Sequence, residues 1–95
     1  MNFEWDDRKA AANLAKHGVS FDEAETVFAD PLAGIAPDPD HSEKEQRELA
    51  AGLSAGGRLL LVSFTETAGS IRVISARELT AYERRLYEKE KFPRF

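Results

Sequence analysis

The chain has 95 residues, 42% hydrophobic and 32% charged, which is enough for one core and too little for two. It contains no cysteine, so disulfides and cysteine-based zinc sites are excluded, and a net charge of −4 argues against a general polyanion binder. That charge is unevenly spread: residues 1–57 carry 12 acidic and 5 basic side chains, whereas residues 58–95 carry 5 and 8, a pattern compatible with a localised basic surface.

Phe3-Glu4-Trp5 reads as a short strand that places two aromatics on one side. Asp6 or Asp7 then caps a helix running to about His17, with Ala10, Ala11 and Leu14 as its apolar stripe and Gly18 past its end. Ser20 and Glu23 fit a capping box, in which each side chain satisfies an orphan amide of the helix start. Phe21, Ala24, Val27 and Phe28 follow at helical spacing, and Asp30-Pro31 ends that helix. Leu32 to Ala36 fits a strand, and Pro37 to Ser42 a turn or loop. Three further strands are expected over Gln46–Ser54, Arg58–Thr65 and Ile71–Arg77, joined by glycine-containing turns and therefore antiparallel. Thr80 and Glu83 form a second capping box, opening a charged helix to about Glu90 that Leu79, Tyr82, Leu86 and Tyr87 would hold to the sheet. The expected architecture is a single α+β domain over residues 1–95. It has two N-terminal helices, an antiparallel sheet of about four strands and a C-terminal helix.

Alternation puts apolar residues on both faces of the last two strands: Leu60, Val62 and Phe64 on one, Leu59 and Leu61 on the other. Covering both faces with this chain alone looks difficult, so a partner protein or a second copy is expected over one of them. Arg72 and Arg77 are five residues apart, an odd spacing that in a regular strand sends them to opposite faces. Guanidiniums match phosphate geometry, so Arg77, Arg72 and Arg58 are candidate anion ligands; ion pairs with Glu48, Glu66, Glu78 or Glu83 are the structural alternative. Arg84 and Arg85 read as a solvated helix face. His17 is either a helix-terminal cation beside Lys16 or a general acid or base. His41, with Asp38 and Asp40, fits a solvated turn better than a metal site. No metal or cofactor site is expected. Met1 to Asp6 lacks the basic and apolar regions of a signal peptide, and no apolar run is long enough to cross a bilayer, so a cytoplasmic protein without membrane attachment is expected.

Longer runs carry a resemblance. Phe3-Glu4-Trp5-Asp6, Asn13-Leu14, Lys16-His17-Gly18-Val19-Ser20-Phe21-Asp22-Glu23-Ala24, Val27-Phe28 and Asp30-Pro31 closely resemble the BrnT family of type II toxin–antitoxin toxins. The likeness continues through Gly57-Arg58, Arg72-Val73-Ile74-Ser75-Ala76-Arg77, Glu83-Arg84-Arg85 and Tyr87. It implies a RelE-like fold and a small ribonuclease that cleaves RNA without a metal and inhibits translation. A BrnA-type ribbon-helix-helix antitoxin would neutralise it and carry the complex to operator DNA. Arginines Arg77, Arg72 and Arg58 would stabilise the phosphoryl oxygens, with Glu83 or His17 as the base. The chain departs from the family pattern at Phe64, where a polar or imidazole residue is expected, and near Thr67, where a basic one is. An attenuated toxin acting as a corepressor is therefore the alternative.

Overall fold

The computed structural model describes residues 1–39 and 46–93, so Asp40 and His41 of the expected turn lie outside the described residues. In chain order the elements are β1 (Asn2–Glu4), α1 (Asp7–His17), α2 (Phe21–Glu25), a 3-10 turn (Thr26–Ala29), β2 (Gly34–Pro37), β3 (Arg47–Leu53), β4 (Leu59–Thr67), β5 (Ser70–Glu78) and α3 (Ala81–Glu88). The fold is α+β. The sheet has five strands in the order β1-β5-β4-β3-β2, rather than about four. It is also mixed, because β1 runs parallel to β5 while the other pairs are antiparallel. A parallel neighbour requires a long crossover, and here everything from α1 to β4 lies between the two strands.

Local chemistry explains most boundaries. The Asp6 carboxylate accepts from the Arg8 and Lys9 amides, and Gly18 closes α1 in the left-handed region at φ 69°, its amide donating to Leu14 O. Ser20 caps α2 through the Glu23 amide, but the Glu23 carboxylate does not return the bond; it turns to Arg58 and Ser54 instead. The second box is complete: Thr80 Oγ1 accepts from the Glu83 amide and Glu83 Oε1 from the Thr80 amide. The β4–β5 hairpin closes on Ala68 and Gly69, at φ 49° and 82°, a two-residue turn tighter than the five-residue connection expected.

One sheet face carries the main core. Leu60, Val62 and Phe64 of β4 meet Ile71 and Val73 of β5 beneath Val19, Phe21, Ala24 and Val27, with Phe3, Trp5 and Phe28 at its margin. Each such large side chain contributes roughly 1.5–3 kcal/mol on full burial. The edge of α1 facing this core is Ala10 and Asn13, not Ala10, Ala11 and Leu14; Leu14 is 50% exposed and Asn13 only 7%. The chain itself covers part of the other face: Leu79, Leu86, Tyr87 and Phe92 close over Ala51 and Leu61. Tyr82, at 63% exposure, takes no part in holding α3 down.

Candidate functional site

The arginines of β5 do not divide between the two faces. In the β4–β5 ladder Ser63 is opposite Ser75, yet Phe64 is opposite Val73, so Ile74 is an extra residue in β5 and forms a β-bulge. The bulge reverses the parity of everything after it. Thr65 is opposite Arg72 and Leu61 is opposite Arg77; Thr65 and Leu61 share a face, and so do the two arginines. The odd spacing that separates them in a regular strand is cancelled by one residue. They remain about 13 Å apart along the strand, too far to form one fork.

That face opens into a cleft of about 410 Å³, lined by His17, Asp38, Pro39, Arg47, Leu49, Leu61, Ser63, Ser75, Ala76, Arg77, Glu83 and Phe92. Three of the five candidate residues, His17, Arg77 and Glu83, therefore meet in one place. α1 lies on the opposite face, and Asn13 explains how its last residue reaches this one. Asn13 Nδ2 donates to Val19 O at 2.9 Å and to Ala76 O at 2.8 Å, and Asn13 Oδ1 accepts from the Ala76 amide at 3.1 Å. The side chain thus substitutes for a neighbouring strand beyond the reach of β1, which pairs only with Ser70–Arg72. His17, four residues on, is on the same side of the helix and comes round the sheet edge into the cleft.

Arg77 and Glu83 form a bidentate pair, Nη1 to Oε1 at 2.7 Å and Nη2 to Oε2 at 2.9 Å, and Arg77 Nη1 also donates to Glu78 O at 3.1 Å. The guanidinium, with the Thr80 amide adding to it, holds the Glu83 carboxyl below the usual glutamate range. A carboxylate so stabilised stays ionised near neutrality, and its two bonds fix the orientation of the Arg77 guanidinium. Arg77 in turn has its charged form reinforced by Glu83.

Arg58 lies apart from this cleft. Its Nε donates to Glu23 Oε2 at 3.0 Å, its Nη2 to Gly18 O at 3.1 Å and to Glu23 Oε1, and Ser54 Oγ donates to the same carboxylate. Glu78, an expected partner, stands 3.6 Å away; Glu23, not expected, is the principal one. This network ties the start of α2 to the β3–β4 turn. Arg72 is half-exposed, with Glu4 as an ion-pair partner at 3.9 Å. Phe64 is 2% exposed in the main core with its ring edge against Phe28, so it offers nothing to the cleft.

Asn13, Arg47, Ser63 and Ser75 were not among the candidates. Asn13 had a signal: it falls between Ala10 and His17 at helical spacing, where a polar residue facing the core must find polar partners. Ser75 had another, because it interrupts the apolar series Ile71 and Val73 where the bulge begins.

Residues 5–83 match the sequence pattern of the family described as ribonuclease toxin, BrnT, of type II toxin–antitoxin system. Among solved structures, the crystal structure of the Brucella abortus ribonuclease toxin BrnT is similar, with a TM-score of 0.67 and 28% sequence identity over 84% of this chain and 97% of that one. No curated protein matches the chain.

Proposed function

The chain belongs to the BrnT family of ribonuclease toxins of type II toxin–antitoxin systems, and from that membership we propose that it cleaves RNA in the cleft formed by His17, Arg77 and Glu83. Membership of such a system implies a protein antitoxin as partner. The observation that carries the proposal is the meeting of an imidazole and an oriented guanidinium in one cleft, reached from opposite sheet faces.

The reaction is an internal transesterification that needs no metal. His17 removes the ribose 2′-proton, the 2′-oxygen attacks the adjacent phosphorus, and the bond to the 5′-oxygen breaks with a proton returned to that oxygen. Arg77 stabilises the charge that develops on the non-bridging oxygens, and Glu83 holds Arg77 in place for it. The products are a 2′,3′-cyclic phosphate and a 5′-hydroxyl. Loss of intact RNA inhibits translation, which makes the cytoplasm the place of action; no described helix is long and apolar enough to cross a membrane. A BrnA-type ribbon-helix-helix antitoxin neutralises the toxin and links it to operator DNA, and the fold is grouped with RelE-like toxins.

Purified protein incubated with RNA in excess EDTA tests this reading. Cleavage leaving cyclic phosphate ends is expected, together with growth arrest when the protein is expressed alone. Abundant folded protein that leaves both RNA and growth untouched would refute it. That outcome is the one expected of the second reading, a catalytically weak corepressor. One observation favours that alternative: Phe64, where the resemblance implies a polar or imidazole residue, is buried in the main core.

A further inference from the structure

The bulge at Ile74 sets Arg72 in line with residues of the two neighbouring strands. Arg47 of β3 is opposite Thr65 of β4, and Thr65 is opposite Arg72 of β5, so the three form one row across the sheet on the cleft face. We propose that this row is a second phosphate subsite, which holds the RNA strand at a phosphate away from the scissile one. The inference rests on the ribonuclease reading and deepens it, because it assigns Arg47 and Thr65 a role and moves Arg72 from the chemistry to substrate binding.

The geometry suits an anion held from two sides. Neighbouring strands are about 4.8 Å apart, so the two arginine backbones stand about 10 Å from each other with a hydroxyl between them. Side chains of arginine length reach inward over that gap, and both guanidiniums stay charged at any working pH. Arg72 is half-exposed, and its Glu4 partner is 3.9 Å away and more exposed still. An exposed pair of that length is weak, so a phosphate can compete for the guanidinium. Arg47 already lines the cleft wall near Asp38, whose amide donates to Arg47 O at 2.9 Å.

The row between the subsites lines the cleft. The next row toward Arg77 is Leu49, Ser63 and Ser75, and the row after it is Ala51, Leu61 and Arg77. Two serines leave a low, hydroxyl-bearing floor over which a strand can pass from the Arg72 row to the Arg77 row. Without the extra residue in β5, Arg72 would face the main core side and the row would not exist. The bulge thus has a use that the fold alone does not require.

The test combines binding of a 2′-O-methylated oligoribonucleotide, which cannot be cleaved, with steady-state cleavage of the unmodified strand. Arg72→Gln and Arg47→Gln should each raise Kd and KM about fourfold near ~0.15 M salt and lower the slope of log K against log salt by about 0.7. The kcat should stay unchanged, as expected when only uniform binding is lost. Arg72→Lys should retain the wild-type slope, and Arg8→Gln, which removes a cation elsewhere, should change nothing. If wild-type protein cleaves RNA and both glutamine variants keep its KM and salt slope, the subsite is overturned while the ribonuclease reading stands. A fall in kcat at constant KM would also overturn it, by returning Arg72 to the chemistry. Wild-type protein that neither binds nor cleaves RNA would overturn both.

Discussion

Among the described residues, two arginine–glutamate pairs of similar construction stand in different settings. Arg58 and Glu23 meet at the corner where α2 starts and the β3–β4 turn ends, surrounded by Ser54 and the Gly18 carbonyl. Arg77 and Glu83 meet in the wall of a cleft that His17, Ser63 and Ser75 also line. In both, the guanidinium pulls the carboxyl below its usual range. The pairing chemistry is therefore no guide to role. What differs is the company: backbone and a turn around one pair, an open cleft with an imidazole around the other.

The comparison is sharpened most by His17. His17→Ala should lower the cleavage rate about a hundred- to ten-thousandfold, the range for a lost general base, with the unfolding midpoint unchanged. If the rate persists, the base must be sought elsewhere in the cleft. Next in size is Asn13→Ala, which leaves the Val19 carbonyl and both Ala76 backbone groups without their partner. We expect about 3 kcal/mol of lost stability in denaturant titrations. Thr80→Ala removes one half of the α3 capping box and should cost about 1 kcal/mol by the same measurement.

Acid should weaken both pairs in the same direction. Each glutamate has a depressed folded-state pKa, so the native state binds fewer protons than the unfolded chain in acid. The stabilisation is complete near neutrality and is lost as pH falls below about 4.5. Unfolding midpoints measured against pH should show that acid limb, and Arg77→Gln should make it shallower. An unchanged limb in this variant would mean that the Arg77–Glu83 pair adds nothing to folding. The smallest effect belongs to Leu14→Glu, expected within about 0.5 kcal/mol of wild type because Leu14 lies on the exposed side of α1.

Much of the fold was legible because local signals agreed. Asp6, Ser20 and Thr80 announce their helices, Gly18 its stop, and alternation identifies β4 and β5 within a residue or two. Phe3 and Trp5 do pack on one side, against the main core. Three features escaped. The parallel pairing of β1 with β5 is non-local and leaves no mark on a three-residue strand. Leu14 is as apolar as a core residue, but Ala10 and Asn13 face inward because the Asn13 amide has a strand edge to satisfy. The bulge at Ile74 mattered most. Period-two reasoning assumes an unbroken ladder, and one inserted residue transferred Arg72 to the face of Arg77. Of the candidate residues, His17, Arg77 and Glu83 line one cleft. Arg58 lies apart from them because it pairs with Glu23, 35 residues away in sequence, a contact that no local pattern announces.

The most direct test measures cleavage rate per folded molecule for Arg58→Ala and Arg77→Ala side by side. Arg77→Ala should lose about a hundred- to a thousandfold while remaining folded. Arg58→Ala should be less stable than wild type yet cleave at the wild-type rate once corrected for the folded fraction. Equal losses in the two variants, or a larger loss at Arg58, would contradict the division of these pairs into a structural corner and a reactive cleft.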